Sequence, residues 1–252
     1  MLINLLKRNV IVRNAYAIFR LFTYEFELSN FKNVVWYINN YRAIKKIRNE
    51  NFINFKLAPQ LNDKTSFTPI EPVYFFQDTW AARKIFELKP GTHHDVGSSA
   101  KTIGILSQFI PITMIDIRPL PLDLPGLNFI EGSILDLPFD DNSLDSISSL
   151  CVVEHIGLGR YGDQIDAFGS EKSIFELKRV VKVGGVIIFS VPVDRVNTVY
   201  FNAHRAFTRD YVLSLFTDFE LTEERYQYGY EFVNYYNADR GFGTGLFMFR
   251  KI

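Results

Sequence analysis

The segment HHDVGSSAKTIG, residues 93–104, decides the fold because its pattern changes from strand to helix across one glycine. The residues before Gly97 predict a strand over residues 92–96, and those after it predict a helix over residues 98–109. Glycine permits the sharp turn between the two elements. The first N–H groups of such a helix have no partner within the helix and are free to face a ligand. The segment therefore predicts a ligand crevice.

Acidic residues recur after this segment, at the ends of apolar runs or within them. From Asp95, the series continues with Asp116, Asp136 and Glu154, at intervals of 21, 20 and 18 residues. Each interval is about the length of one strand and one helix. Because parallel strands end at the same edge of a sheet, these carboxylates are predicted to line one edge of a parallel sheet.

Four segments, covering roughly residues 90–195, resemble successive motifs of class I S-adenosylmethionine-dependent methyltransferases. They are HHDVGSS, MIDIR, IEGSILDLPFDDNSLDSISSLCVVEH and LKRVVKVGGVIIFSVP. Two further segments, FFQDTWAARKI and EHIGLGRYGD, are similar to a bacterial subgroup described only as a domain of unknown function and linked to surface-polysaccharide genes. The resemblance implies an α/β, Rossmann-like class I methyltransferase fold with a seven-stranded, mostly parallel sheet. It also implies S-adenosyl-L-methionine as the cofactor.

The resemblance implies roles for the residues of the crevice. Asp95 is expected to serve the methionine end of the cofactor, directly or through water, and Gly97 lets the backbone approach closely. Asp116 is expected to accept hydrogen bonds from the ribose hydroxyls, and Asp136 from the adenine amino group, with Leu137 beside the ring. The alternative is that these Asp and Gly residues only cap turns. The predicted cofactor-binding residues are Asp95, Gly97, Ser98, Asp116, Ile117, Asp136 and Leu137.

The turn departs from the glycine-rich form that is usual in the family. Ser98 and Ser99 occupy positions where a further glycine is common, so the approach to the cofactor is either less open or uses hydroxyl hydrogen bonds. A nicotinamide-dependent dehydrogenase has the same strand-turn-helix geometry but normally needs G-x-G-x-x-G. A single glycine before Gly104, with Asp95 ahead of it, favours methyl transfer.

The predicted catalytic residues are His204, His155 and Glu154. Methyl transfer is an in-line displacement, and a base assists it when the acceptor is a hydroxyl. His155 follows the fourth predicted strand and His204 the fifth, so both are expected at the edge where the methyl group points. His204 is the preferred base because Glu154 and His155 adjoin the cofactor. The alternative for each histidine is a hydrogen bond to local backbone.

The loop after Glu154 contains three further candidates. Arg160, Tyr161 and Asp163 either shape the acceptor pocket or a lid, or belong to a solvated, flexible turn. His93 and His94 enter the first strand and are predicted to be structural.

Composition limits the classes of protein to which the chain can belong. It has 252 residues, 47% of them hydrophobic, enough to bury the core of one α/β domain with an added segment. The single cysteine, Cys151, excludes an internal disulfide framework and a multi-cysteine zinc site, and it suits a reducing cytoplasm. No H-x-x-x-H pair and no nucleic-acid motif occurs, so neither a metal nor a nucleic-acid partner is predicted.

The amino-terminal part is predicted to be a helical extension and linker over residues 1–72, followed by a methyltransferase domain over residues 73–252. Residues 1–56 carry a net charge of +7 against −7 for the rest of the chain. Apolar residues recur at helical spacing over residues 1–27, and a second helix is predicted for residues 31–48. The basic helix either contacts an anionic membrane surface or caps the catalytic domain or a second subunit. We expect a cytoplasmic protein, with peripheral contact at the inner membrane face as one alternative.

These observations lead to two hypotheses of different classes. The first is S-adenosylmethionine-dependent methylation, at oxygen, of a glycan or small metabolite in surface-polysaccharide biosynthesis. The second is a non-catalytic, methyltransferase-like binding module that docks on a membrane-associated assembly through its basic helix. Cofactor binding separates them, because a module that has lost the site does not bind it.

Overall fold

The computed structural model describes residues 31–47, 51 and 55–252. The chain divides into two compact units, Met1–Pro69 and Ile70–Ile252. All the β-strands of the described residues belong to the second unit.

In the first unit, α1 spans Phe31–Ile44, within the second predicted helix. The ring of Tyr41 on this helix lies 5.7 Å from the ring of Phe55, measured between centroids. The basic helix predicted for residues 1–27, and its predicted membrane contact, fall outside the described residues. None of the described helices is long and apolar enough to cross a membrane.

The second unit alternates strands and helices through its first half and is richer in strands toward its end. Its strands are β1 (His93–Val96), β2 (Ile112–Asp116), β3 (Leu127–Glu131), β4 (Leu144–Leu150), β5 (Val181–Val193), β6 (Thr198–Tyr200), β7 (His204–Ala206), β8 (Phe219–Tyr228), β9 (Glu231–Val233) and β10 (Gly243–Lys251). Its helices are α2 (Pro72–Leu88), α3 (Ala100–Leu106), α4 (Gly169–Val180) and α5 (Arg209–Ser214), with 3-10 turns at Val153–His155 and Ala238–Arg240.

Eight strands form one sheet in the order β3-β2-β1-β4-β5-β10-β8-β9, and β6 and β7 form a separate hairpin. The pairs from β3 to β5 are parallel, whereas β10 is antiparallel to both β5 and β8. The sequence predicted seven strands. The eighth is β9, which pairs with β8 across a turn at Gly229 and is too short, at three residues, to show an alternating pattern.

Helix α2 covers one face of the sheet. Its buried residues Trp80, Ala81 and Ile85 belong to a core cluster with residues of β4, β5 and β10. The helix begins at Pro72, inside the segment predicted as linker, because the Glu71 side chain accepts a hydrogen bond from the N–H of Tyr74 and proline is favoured in the first turn.

Two strand ends also differ from prediction. The apolar run that ends before Glu154 predicts a strand up to residue 153, but β4 ends at Leu150, where Cys151 has a φ of 53° and the chain enters a 3-10 turn. The two glycines at 184 and 185 predict a turn over residues 182–185, yet these residues belong to β5, with a register shift between Leu144 and Ser146 on β4. The early end of β4 turns Glu154 and His155 toward the edge of the sheet.

Candidate functional site

A cavity of about 590 Å³ lies at the carboxyl ends of β1, β2, β4 and β5. A smaller cavity of about 70 Å³ shares part of its wall. The larger cavity is lined by six of the ten predicted site residues, and Ile117 lines the smaller one. Those six are Gly97, Ser98, Asp116, Glu154, His155 and His204.

The turn after β1 is held by a buried carboxyl group. Asp95 accepts hydrogen bonds from the N–H and hydroxyl of Ser98, at 3.1 and 2.6 Å, and from the hydroxyl of Ser148. Ser98 Oγ also accepts the N–H of Leu150, at 3.0 Å, which ties the turn to the end of β4. Asp95 is fully buried, and burial raises its pKa to about 6. Its observed partners are therefore the turn and β4, and it lines neither cavity.

Gly97 has the left-handed backbone conformation that glycine favours, with a φ of 69°. A Cβ atom at this position would lie 3.0 Å from Cγ1 of Val152. The missing side chain leaves the backbone of the turn exposed to both cavities. Helix α3 begins at Ala100 rather than at residue 98 because Ser98 bonds to Asp95 instead of entering the helix.

His93 extends the buried hydrogen-bond network that contains Asp95. His93 is fully buried, and its Nδ1 and Nε2 atoms lie 2.8 and 2.9 Å from the hydroxyl oxygens of Ser146 and Ser148. Because Ser148 donates to Asp95, the Nε2–H of His93 donates to Ser148. Burial lowers the pKa of His93 to about 3, so the imidazole is neutral. These contacts agree with the structural role predicted for His93.

Asp116 ends β2 at the wall shared by both cavities. Its carboxylate accepts the backbone N–H of Arg118 at 2.8 Å and two guanidinium N–H groups at 3.1 and 3.2 Å. The Arg118 guanidinium carbon also lies 4.8 Å from the centre of the Tyr161 ring. The Asp116 side chain is 11% exposed and that of Arg118 is 61% exposed. An exposed arginine thus covers the carboxylate that was predicted to bind the ribose.

The smaller cavity has apolar walls from Ile115, Ile117 and Ile134. Asp136 and Leu137, which were predicted to contact adenine, do not line either cavity. Asp136 is exposed, while Leu137 is buried in the core and donates its N–H to Glu176 at 2.7 Å. The structure therefore brings Ile134 to the site in place of the two residues named from the sequence.

Glu154 is buried at the wall of the larger cavity, with 1% of its surface exposed. Its Oε2 atom has no hydrogen-bond partner among the described residues. Burial raises the pKa of Glu154 to about 8, so the group is a neutral carboxylic acid at pH 7. Burial also raises the pKa of the neighbouring Cys151 thiol well above its usual value. Burial thus favours the uncharged form of both groups.

The two candidate bases both line the larger cavity. His155 Nδ1 lies 2.7 Å from the carbonyl oxygen of Ala203, and its Nε2 lies 3.7 Å from Oε1 of Glu154. Burial lowers the pKa of His155 to about 4. His204 is the first residue of β7, not a loop residue, and burial lowers its pKa as well. Both imidazoles are neutral at pH 7.

The loop after His155 is ordered by Asp163. Its carboxylate accepts the N–H groups of Gly157, Gly159 and Tyr161, at 2.7 to 3.3 Å. The interpretation as a solvated, flexible turn is therefore not supported by these contacts. Arg160 and Tyr161 line the larger cavity, whereas Asp163 supports the loop from outside it.

Several residues that line the larger cavity were not predicted from the sequence. Arg118 follows Asp116 by two positions, and that spacing at the tip of β2 was an available signal. Tyr74 and Phe242 come from α2 and from just before β10, far apart in the sequence, so no local motif indicates them. Within the residues that the structure describes, no group of three or more His, Cys, Asp or Glu side chains is arranged to hold a metal ion.

Two of the solved structures that the chain resembles are methyltransferases by name. A protein from Galdieria sulphuraria, provisionally named a sarcosine dimethylglycine methyltransferase, is 15% identical to the chain; the match covers 73% of this chain and 90% of that one, with a TM-score of 0.54. The geranyl diphosphate C-methyltransferase of Streptomyces coelicolor A3(2), solved with Mg²⁺, geranyl diphosphate and S-adenosyl-L-homocysteine, is 10% identical; the match covers 69% and 78% of the two chains, with a TM-score of 0.52. The chain has the class I methyltransferase fold. The predicted Rossmann-like fold class is confirmed.

Sequence comparison adds a family of unknown function. Residues 139–240 match the family described as Caenorhabditis protein of unknown function, DUF268. No curated protein sequence matches the chain. The matched range includes Glu154, His155 and His204 but ends before β10, and it excludes the turn at Gly97.

Proposed function

We propose that the protein transfers a methyl group from S-adenosylmethionine to an oxygen atom of a glycan or small metabolite. The observation that carries this proposal is the cavity of about 590 Å³ at the carboxyl ends of β1, β2, β4 and β5. Ligands of open α/β sheets bind at this edge, where the strand order reverses. The volume falls within the roughly 300–1,000 Å³ typical of small-molecule sites.

The walls of the two cavities fit the parts of this cofactor. S-adenosylmethionine supplies a methyl group on a positively charged sulfonium. The Gly97 turn offers exposed backbone to the amino-acid end, and Asp116 offers carboxylate oxygens to the ribose hydroxyls. The apolar slot at Ile117 and Ile134 fits a flat base. Because Arg118 already donates three hydrogen bonds to Asp116, we expect its exposed guanidinium to move aside when the ribose binds.

His155 is the better placed base of the two candidates. Nδ1 of His155 lies 2.7 Å from the carbonyl oxygen of Ala203, which can only accept a hydrogen bond, and 3.2 Å from Nη1 of Arg160, which can only donate one. The shorter contact favours the neutral tautomer with the proton on Nδ1 and the lone pair on Nε2. A base whose ring is oriented by a second group is typical of catalytic sites. His204 also lines the cavity, but its ring nitrogens make no hydrogen bond to any described residue. The geometry thus favours His155 over His204, which the sequence favoured.

The acceptor class rests on the sequence and on the position of one loop. The segment EHIGLGRYGD, residues 154–163, is the part that resembles the subgroup linked to surface-polysaccharide genes, and it contributes four residues to the wall of the larger cavity, Glu154, His155, Arg160 and Tyr161. A hydroxyl group of a glycan placed beside His155 would give up its proton as the methyl group moves. Such a base typically contributes about 10² to 10⁴-fold to the rate.

A methyl-transfer assay tests the proposal. The purified full-length chain is incubated with S-adenosylmethionine labelled in the methyl group and with a panel of glycans and sugar derivatives that carry free hydroxyls. The proposal predicts label in an acceptor, in an ether bond that survives mild base. At a limiting concentration of S-adenosylmethionine, Asp116→Asn should lower transfer at least tenfold, whereas Asp123→Asn, at an exposed site that lines neither cavity, should keep it. Label on a nitrogen atom would contradict the assignment to oxygen.

A further inference from the structure

Arg160 brings a guanidinium group to the larger cavity, where its Nη1 atom lies 3.2 Å from Nδ1 of His155. Its Nη1 donates to the carbonyl oxygen of Ala203 at 2.7 Å, and its guanidinium carbon lies 5.2 Å from the centre of the Tyr161 ring. Among residues 31–47, 51 and 55–252, no carboxylate oxygen lies within 4.0 Å of it. The guanidinium of Arg160 therefore lines the cavity without an acidic partner among these residues.

The other ionisable groups of the wall do not offset this positive charge. Glu154 is a neutral acid at pH 7, because burial raises its pKa to about 8. Asp116 is paired with Arg118, and Glu71, which caps α2 by accepting the N–H of Tyr74 at 2.7 Å, forms no ion pair with Arg160. Arg160 is consequently a cation of the cavity wall that forms no ion pair with a described carboxylate.

The two histidines near Arg160 are neutral as well. Burial lowers the pKa of both His155 and His204, and the nearby Arg160 cation lowers each further. Neither histidine is therefore a second cation that would attract an anion in place of Arg160.

Aromatic rings also line the cavity to which Arg160 contributes its charge. The His204 ring lies 5.0 Å from the ring of Tyr200 and 5.4 Å from that of Phe242, measured between centroids. His204 and Phe242 line the cavity, and 48% of Phe242 is exposed. A flat apolar wall next to a planar cation fits a molecule that has both a ring and an oxyanion.

We propose that the methyl acceptor carries an anionic oxygen group, a carboxylate or a phosphoester, that Arg160 binds while the rest of the acceptor lies against His204 and Phe242. The inference rests on the proposed function, because it names the class of acceptor for the same cavity. A guanidinium group presents parallel N–H donors whose spacing matches two oxygens of such a group. Uncharged sugars lack this interaction.

Three probes that share one sugar ring test the proposal: glucose, glucuronate and glucose 1-phosphate. Each is titrated by ligand-observed NMR into the full-length protein saturated with S-adenosylhomocysteine. We expect at least one charged probe to bind at least tenfold more tightly than glucose. The stronger of the two charged probes distinguishes a carboxylate from a phosphoester.

Variants assign the effect to Arg160. Arg160→Gln should lose the preference for the charged probe, and Arg160→Lys should keep part of it because the charge remains. Arg83→Gln is the matched control: Arg83 is an exposed arginine of α2 that lines neither cavity, and this variant should bind like the unaltered chain.

Two results would overturn the inference. If all three probes bind alike, or if the charged probes bind equally well to Arg160→Gln, Arg160 does not select an anion, although the proposed function stands as long as S-adenosylhomocysteine binds. If S-adenosylhomocysteine itself does not bind to the unaltered protein, the proposed function fails and this inference fails with it. Retention of S-adenosylhomocysteine binding by Arg160→Gln shows that the variant is folded.

Discussion

His155 Nδ1 lies 2.7 Å from the carbonyl oxygen of Ala203, closer than the 3.2 Å that separates it from Nη1 of Arg160. The shorter contact favours the tautomer in which Nδ1 donates to this carbonyl and Nε2 keeps its lone pair. Because burial lowers the pKa of His155 to about 4, this lone pair is available throughout the neutral range. The carbonyl group of Ala203, the residue before His204, thereby orients the ring of His155.

The first prediction compares the two histidines. His155→Ala should lower kcat by about 10² to 10⁴-fold, the usual contribution of a general base, and should leave the affinity for S-adenosylhomocysteine within a few-fold of the original. His204→Ala should lower kcat by less and act mainly on the KM of the acceptor. Steady-state kinetics on both variants makes the comparison. The reverse pattern would restore His204 as the base, as the sequence suggested.

The second prediction concerns the buried carboxyl group of Glu154. Its pKa is raised to about 8 in the folded protein from an ordinary 4.5, so between these values the folded state binds more protons than the unfolded state. This group therefore makes stability fall as pH rises from about 5 to 8, with a slope of at most about 1.4 kcal/mol per pH unit. Glu154→Gln should remove that slope, so its stability relative to the unaltered chain should increase from pH 5 to pH 8. Urea unfolding at several pH values measures the difference in stability between the two proteins. If their stabilities depend on pH in the same way, Glu154 is not a buried neutral acid.

The third prediction concerns the serine that replaces glycine in the turn. Ser98→Ala removes one partner of the buried Asp95 and the acceptor for the Leu150 N–H, and should lower the free energy of unfolding by about 1–3 kcal/mol. The control is Ser99→Ala, because the Ser99 side chain makes no capping hydrogen bond; its effect should stay within about 0.5 kcal/mol. Thermal or urea unfolding measures both. Equal effects would show that the Ser98 hydroxyl is not what holds the turn.

The fourth prediction separates backbone strain from contact at Gly97. Gly97→Ala places a residue with a Cβ atom at a positive φ, which costs about 1–2 kcal/mol, and brings that atom to 3.0 Å from Val152. Gly162→Ala imposes similar strain, at a φ of 86°, with no atom within 4 Å of the new Cβ. Both variants should lose stability, but only Gly97→Ala should also weaken S-adenosylhomocysteine binding. Equal binding by the two variants would place the ligand away from the turn.

The strands that carry the site could be predicted because each is a short apolar run that ends at a polar residue. Asp116 and Glu154 lie at the sheet edge where the spacing placed them. Leu137 could not be placed, because its side chain packs in the core with residues of α4, and its N–H bonds to Glu176, 39 residues away. The same holds for Phe242 and Tyr74, which reach the cavity only after distant elements have packed. Local patterns predict where strands end, whereas the wall of the cavity depends on tertiary contacts.

Calorimetric titration of the full-length protein with S-adenosylhomocysteine tests the central claim most directly. The account predicts saturable binding of one ligand per chain. Asp116→Asn should weaken that affinity at least tenfold, since charge-assisted hydrogen bonds to the ribose are each worth about 1.5–3 kcal/mol, and Asp123→Asn should leave it unchanged. Absence of binding by the unaltered protein, or equal affinity in a folded Asp116→Asn variant, would contradict the account.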